Sequence, residues 1–220
     1  MPPETKAALN DAEHTCDLDF LAAEVPHAID QGLDGVRRVS AIVRAMKEFS
    51  HPDSAEKAPT DLNRAIESTI TVARNEWKYV ANVSTNLEAN LPLVMCYPGE
   101  MNQVILNLLV NAAHAIKDAI GDGEKGQIVV ATQVCGKFAQ LSVADTGGGI
   151  PEGIRTKIFD PFFTTKEVGK GTGQGLSLAY NVVVKKLGGR IWFETEVGKG
   201  TTFFVDLPIE PADAKQETSG

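Results

Sequence analysis

A two-layer α+β sandwich is the fold class that this sequence predicts. Three observations predict it. Segments of helical periodicity and of strand-like alternation are mixed without the regular βαβ repetition of a doubly wound sheet. Two pairs of strand-like runs are joined by short glycine turns, near Gly136 and at Gly198-Lys199-Gly200, as antiparallel hairpins require. The 220 residues, 43% apolar and 23% charged, read as a globular chain long enough to bury a good core in one or two domains.

The same composition excludes several function classes. No apolar run approaches the length of a membrane span, and Met1-Pro2-Pro3-Glu4 does not open a secretory signal. A cytoplasmic location is expected, with a membrane-anchored parent protein left open. The net charge of −8 argues against nucleic acid as the main partner. It leaves room for a nucleotide, which needs only local positive charge. Cys16, Cys96 and Cys135 are odd in number and lack CxxC spacing, so neither a metal site nor a disulfide framework is expected.

Residues 1–16 are polar and patternless, as in a disordered end or linker. Within 17–57 the residues Ile29, Leu33, Val36, Val39, Val43, Met46 and Phe49 step by three or four, close to the coiled-coil period, and form one narrow seam. Pro26 is expected to kink or restart this helix, Gly32 and Gly35 to weaken it, and His51-Pro52-Asp53-Ser54 to end it. A single amphipathic helix needs a partner. It is either half of a dimerising hairpin or a helix lying on the next domain.

The body spans 58–208. Thr60-Asp61 caps a helix running towards Tyr79. Val80–Leu87 and Leu93–Cys96 read as short strands, and Pro98-Gly99-Glu100 opens a long helix to about Ile120. Leu106, Leu109, Val110 and Ala113 of that helix are expected to pack on the sheet. Ile128–Val134 and Phe138–Ala144 form the first hairpin. Pro151–Ile158 reads as a short helix, and Phe159–Gly175 as a loop too long for a simple connection. Leu176–Leu187 is helical and stops at Gly188-Gly189. Arg190–Glu196 and Thr201–Leu207 make the final hairpin. The tail, 209–220, is polar and expected to be disordered.

Four segments carry chemistry. Gln103, Asn107, Asn111 and His114 are spaced 4, 4 and 3, on one face of the long helix. An asparagine oxygen there suits Mg²⁺, which keeps waters and takes phosphate oxygens for its other positions. The same amides could instead bond neighbouring backbone, and His114 alone is as well explained by packing. Asp145, at the end of a strand, can accept a hydrogen bond from an exocyclic amine, and Gly147–Gly149 let backbone approach a flat ligand. A plain Gly-rich turn accounts for the same stretch. Thr164, Thr165 and Lys166 add hydroxyls and an ammonium. Gly171, Gly173 and Gly175 before a helix suit phosphate, with Lys166 and Lys170 beside them, although a flexible loop is the ordinary reading. The spacing fits neither a Walker loop nor a dinucleotide fingerprint.

Taken in order, these segments resemble the catalytic ATP-binding domain of bacterial sensor histidine kinases, within the superfamily of gyrases, mismatch-repair ATPases and heat-shock chaperones. Asn107-Leu108-Leu109-Val110-Asn111-Ala112 matches the asparagine box and Asp145-Thr146-Gly147-Gly148-Gly149 the first glycine box. Phe159-Asp160-Pro161-Phe162-Phe163 matches the phenylalanine box, Gly171-Thr172-Gly173-Gln174-Gly175-Leu176 the second glycine box, and Gly198-Lys199-Gly200-Thr201-Thr202-Phe203 the last. The resemblance implies a mixed sheet with helices on one face, preceded by a dimerisation-type helix. It implies ATP and Mg²⁺ as cofactors and transfer of the γ-phosphoryl group to a histidine, for relay to a response regulator. By it, Asp145 would bind the adenine amine, Asn111 would ligate Mg²⁺ with Asn107 nearby, and His114 would stand where the family has a basic phosphate contact. Asn107, Asn111, His114 and Lys166 would serve catalysis. The nucleotide would be held by these residues with Asp145, Gly147, Gly149, Ile150, Phe159, Thr164, Thr165, Gly171, Thr172, Gly173, Gln174, Gly175, Leu176 and Thr201.

The resemblance also shows a departure. The acceptor histidine of the family is followed by an acidic residue, and none of His14, His27, His51 or His114 has that context. The chain is therefore expected to carry the second dimerisation helix and the catalytic domain without the acceptor helix. It is expected to bind ATP without phosphorylating itself, and to form a homodimer through the 17–50 helix if at all. Hydrolytic relatives place a Glu at the position of Asn107, and an amide cannot serve as that base. A hydrolytic clamp of the same fold and a nucleotide-binding scaffold are the alternatives.

Overall fold

The computed structural model describes residues 20, 24–33, 36, 56–121, 124–165 and 173–209. The backbone divides into two compact units, Met1–Arg44 and Ala45–Gly220. In the first, residues 24–33 form a helix, α1, with Pro26 and Gly32 both inside the helical stretch. Val25, Ile29, Leu33 and Val36 are exposed and are spaced 4, 4 and 3, so they fall on one side of the helix. His27 Nε2 lies 2.9 Å from Gln31 Nε2 one turn on. The remaining seam positions Val39, Val43, Met46 and Phe49, together with His14, Cys16 and His51, lie outside the described residues.

The second unit begins with β1 (Ala58–Thr60), then α2 (Leu62–Val72), α3 (Arg74–Trp77), β2 (Ala81–Asn86) and β3 (Val94–Cys96). The long helix α4 (Pro98–Ile120) leads to β4 (Gly126–Cys135) and β5 (Phe138–Asp145). A helix starting at Gly175, α5 (Gly175–Tyr180), continues as a π-helical segment (Asn181–Lys186) into β6 (Arg190–Glu196) and β7 (Gly200–Pro208). The main sheet has the order β2-β4-β5-β7-β6, with β2 parallel to β4 and every other pair antiparallel. β1 and β3 form a separate antiparallel pair with Ala58 opposite Cys96. This is the mixed-sheet α+β sandwich that the sequence predicts.

Alternation along the strands explains the two layers. Ile128 and Val130 of β4, Ala139, Leu141 and Val143 of β5, and Phe203, Val205 and Leu207 of β7 are all buried on one face. They meet Val104, Ile105, Leu108, Leu109, Ala112 and Ala113 of α4, which packs across β4, β5 and β7. Burial of this apolar surface, at about 25 cal/mol per Å², is the main force holding the layers together. Of the α4 residues expected to pack on the sheet, Leu109 and Ala113 are buried while Leu106 and Val110 are half-buried. On the opposite face of the sheet, Asp206 accepts from Gln140 Nε2 at 2.8 Å and from Arg190 at 2.5 Å, and Trp192 stacks on Phe204 at 5.1 Å.

β1 is an addition to the sequence prediction, and three helical elements differ from it. The helix expected from Asp61 to Tyr79 breaks at Ala73 into α2 and α3. The run Thr69-Ile70-Thr71-Val72 is β-branched, and Thr69 and Thr71 hydroxyls back-bond to Ala65 O (2.7 Å) and Glu67 O (2.9 Å). The indole of Trp77 then donates to Ile70 O at 3.1 Å, satisfying a carbonyl that the break releases. Asp61 caps α2 as expected, accepting from Arg64 N at 3.1 Å. Pro151–Ile158 is one 3₁₀ turn, Glu152–Ile154, followed by further turns. Gly153 favours this looser backbone. The Leu176–Leu187 helix widens after Tyr180, where Leu187 N bonds to Val182 O at 3.0 Å, five residues back.

Candidate functional site

The sheet and α4 end together at one cavity of about 590 Å³. Its walls come from α4 (Asn107, Val110, Asn111, His114, Ala115, Asp118, Ala119), from the segment after β5 (Gly148, Gly149, Ile150, Pro151), and from the start of β7 (Thr201, Phe203). Phe163, Thr164, Thr165, Gly173, Gly175 and Leu176 close the remaining side. A cleft of this size suits a nucleotide-sized ligand.

Asp145 is the last residue of β5, the central strand, and lies opposite Ile128 of β4 and Thr201 of β7. It is 8% exposed and still lines the cavity. Its Oδ1 accepts from Gly147 N at 2.8 Å, and the backbone N–H of Thr201 also points at the carboxylate. Burial pushes its pKa above the ordinary carboxylate value, and the two N–H donors act in the opposite direction. A carboxylate so placed is a strong acceptor for a donor entering the cavity.

The turn after Asp145 is held against the β6–β7 hairpin. Gly198 N donates to Gly148 O at 2.9 Å. Gly149 has φ 72°, and a Cβ there would strike the carbonyl of Glu196. Gly200, at φ 129°, lies so close to Asp145 that a Cβ would overlap the Asp145 carbonyl oxygen. Glycine is therefore required at both places. Ile150 N donates to Thr195 Oγ1 at 2.9 Å, and Ile150 O accepts from Arg155 Nε at 3.0 Å.

On α4, Gln103 Nε2 donates to Asn107 Oδ1 at 3.1 Å, and Asn107 Nδ2 donates to Gly175 O at 3.1 Å. Both ends of the Asn107 amide are thus engaged. Asn111, one turn on, is half-buried on the cavity wall, and none of the hydrogen bonds among the described residues uses its amide. His114 lines the same wall.

Of the sequence-predicted site residues, Asn107, Asn111, His114, Asp145, Gly149, Ile150, Thr164, Thr165, Gly173, Gly175, Leu176 and Thr201 meet around this cavity. Three others lie beside it. Gly147 donates to Asp145 and packs against Ala115. Phe159 sits in an aromatic cluster, with Tyr180 at 5.6 Å and Phe193 at 6.2 Å. Gln174 precedes α5 and accepts from Leu178 N at 2.9 Å and Ser177 Oγ at 3.0 Å. Lys166, Lys170, Gly171 and Thr172 lie outside the described residues. Sequence reasoning did not single out Asp118, the apolar lining residues Ile154, Ile158 and Phe203, or Thr195 behind Thr201.

Comparison with known proteins agrees with this geometry. Residues 97–211 match the family described as histidine kinase-, DNA gyrase B-, and HSP90-like ATPase. The chain is 36% identical over 187 residues to the sensor kinase CckA of Brucella abortus, covering 78% of this chain and 19% of that protein. It is 33% identical over 174 residues to the sensor histidine kinase ZraS of Escherichia coli, covering 78% of this chain and 35% of that protein. The chain thus spans about a fifth to about a third of the length of these two relatives. Among solved structures, the catalytic domain of histidine kinase ThkA superposes with a TM-score of 0.61 at 30% identity, over 71% of this chain and 99% of that one. Among the described residues no helix is long and apolar enough to cross a membrane.

Proposed function

Because the chain belongs to the histidine kinase-, DNA gyrase B- and HSP90-like ATPase family, we propose that it is the catalytic part of a sensor histidine kinase. In this reading it binds Mg-ATP and passes the γ-phosphoryl group to a histidine on a dimerisation helix, for relay to a response regulator. The observation that carries it is the single cavity that joins a buried carboxylate at the end of β5 to the amides of Asn107 and Asn111 on α4.

Each residue has a role that its surroundings support. Asp145 accepts a hydrogen bond from the exocyclic amine of adenine, in a position fixed by Gly147 N and Thr201 N. Gly149 and Ile150 offer backbone and apolar surface to the base. His114, Thr164 and Thr165, with the backbone of Gly173 and Gly175, face the phosphate end. Among the described residues no group of three His, Cys, Asp or Glu could hold a metal alone. The Asn111 oxygen is compatible with Mg²⁺, an ion that keeps waters and borrows phosphate oxygens. Mg²⁺, when bound, supplies neutralisation of phosphate charge. The protein's share of catalysis is position and electrostatic complementarity, because phosphoryl transfer asks little covalent chemistry of it.

The test supplies Mg-ATP and a separately purified acceptor helix hairpin from a related kinase. Acid-labile phosphate on the acceptor histidine is expected. Steady phosphate release without an acceptor, and no phosphorylated acceptor, would overturn the kinase reading in favour of a hydrolytic ATPase of the same fold.

A further inference from the structure

We propose that Gln103, which is not among the residues lining the cavity, positions the phosphate end of the nucleotide site by acting through Asn107. The inference rests on the reading of the cavity as an ATP site.

Gln103 shares one face of α4 with Asn107, Asn111 and His114, and of these four it alone stays off the cavity wall. It is half-buried, and among the described residues the hydrogen bond of its side chain runs to Asn107. The direction of that bond is fixed from the far end. A backbone carbonyl can only accept, so the Asn107 amide must turn its Nδ2 end to Gly175 O, at 3.1 Å. The Oδ1 end then faces back along α4, where a donor has to meet it. Gln103 Nε2 is that donor, at 3.1 Å. Turned over, the Asn107 amide would set Oδ1 against the Gly175 carbonyl, acceptor against acceptor, and the link between the two helices would be lost.

The consequence falls on one end of the cavity. Asn107 belongs to the α4 wall, and Gly173, Gly175 and Leu176 make the wall beside it. The Asn107 bond to Gly175 joins these two walls at the end read as taking the phosphates. The base end is built separately: Asp145 is held in the sheet between β4 and β7 and by Gly147 N. A side chain that orients the Asn107 amide therefore acts on the phosphate end and leaves the base end as it is. Gln103 is thus a positioning residue, acting through Asn107 without touching the nucleotide.

The test titrates a non-hydrolysable Mg-ATP analogue and adenosine into the whole chain and into Gln103→Met, Asn107→Ala and the double variant. Methionine keeps the side-chain length and the helix propensity and removes the donor. In Gln103→Met, affinity for the analogue is expected to fall about fivefold, one net hydrogen bond, while affinity for adenosine stays within about twofold. Because Gln103 acts through Asn107, the double variant is expected to match Asn107→Ala. Hydrogen exchange of the nucleotide-free chain is the second readout, and it decides the matter if Asn107→Ala abolishes binding. Both single variants are expected to exchange faster at Leu178, Ala179 and Tyr180 of α5, with β4 and β5 unchanged. Equal weakening of the analogue and adenosine, or unaltered exchange in α5, would mean that Gln103 only braces α4 and would overturn the inference. A further loss on adding Gln103→Met to Asn107→Ala would overturn it too. A parent chain that binds the analogue no better than Gln103→Met overturns this inference alone. A parent that binds neither ligand overturns the reading of the site as well.

Discussion

Replacing Asp145 by asparagine tests the centre of the proposed site, because the substitution changes charge and hydrogen-bond sense while keeping shape. The carboxylate is 8% exposed and lines the cavity. A hydrogen bond to a charged acceptor contributes about 1.5–3 kcal/mol, which is about 10- to 150-fold in Kd. Asparagine retains one oxygen, and Gly147 N, which donates to Asp145 Oδ1 at 2.8 Å, can hold it. The atom left for the ligand is then an NH₂ group facing an adenine NH₂. Loss towards the upper end of the range is expected, measured by calorimetry with Mg²⁺ and a non-hydrolysable ATP analogue.

Stability is expected to move differently. Burial raises the Asp145 pKa above its ordinary value of 3.8 in the folded state. The native state therefore holds its proton more tightly than the unfolded chain. The stability from this group is fully present below about pH 3.8 and is lost as pH rises through the raised folded value. At neutral pH the parent carries the cost of a buried charge and the asparagine variant does not. The variant is expected to melt at or above the parent temperature at pH 7, with the difference shrinking as pH falls towards 4. Binding within about twofold of the parent would refute the adenine assignment. Binding lost together with a lowered melting temperature at pH 7 would show that the carboxylate is structural.

Two further substitutions test the frame around the site. Gly200→Ala puts a Cβ onto the Asp145 carbonyl at φ 129°, so β7 has to shift, at a cost of about 2–4 kcal/mol in chemical denaturation. Arg190→Ala leaves Asp206, 1% exposed, with Gln140 as its remaining side-chain partner. The Arg190 side chain is 63% exposed, so water enters when it is removed. A loss of about 1–2 kcal/mol in urea unfolding is expected, not the 3–5 of a fully buried pair.

How much of this was legible depended on whether the signal was local. The long helix announced itself through Pro98 at its first position and a buried stripe repeating every three or four residues. Strands β4 and β5 were readable from period-two alternation about Gly136. β1 was not, because three residues carry no periodicity and its partner Cys96 lies 38 positions away. The break at Ala73 was hidden because apolar residues continue at helical spacing on both sides of it. The decisive event is a run of β-branched residues whose hydroxyls bond back to the helix. At the site, Asp145, Asn107 and Asn111 were readable because their types and spacing are chemically unusual for their elements. Thr195 was not, since a threonine between Glu194 and Glu196 looks like any half-exposed strand residue. A signal did exist. Thr195 and Thr201 are equidistant from Gly198, so a hairpin turning there pairs them, as it does.

Asn107 bears on the choice between kinase and hydrolase. Water is a poor nucleophile at neutral pH and needs a base to remove its proton as it attacks. An amide has no basic site, and this one is tied at both ends, to Gln103 Nε2 and to Gly175 O. The contact uses the backbone carbonyl of residue 175, and a Cβ there would sit 3.4 Å from Asn107 Cγ, an ordinary packing distance. The position is therefore occupied by a tether between α4 and the start of α5. A histidine acceptor has no need of a base there. With an ordinary pKa near 6.5, its imidazole at neutral pH already carries a lone pair on one ring nitrogen, ready to attack phosphorus. In the proposed ATP site, the lack of a base at residue 107 handicaps water far more than imidazole, and that asymmetry is the chemical argument for transfer over hydrolysis.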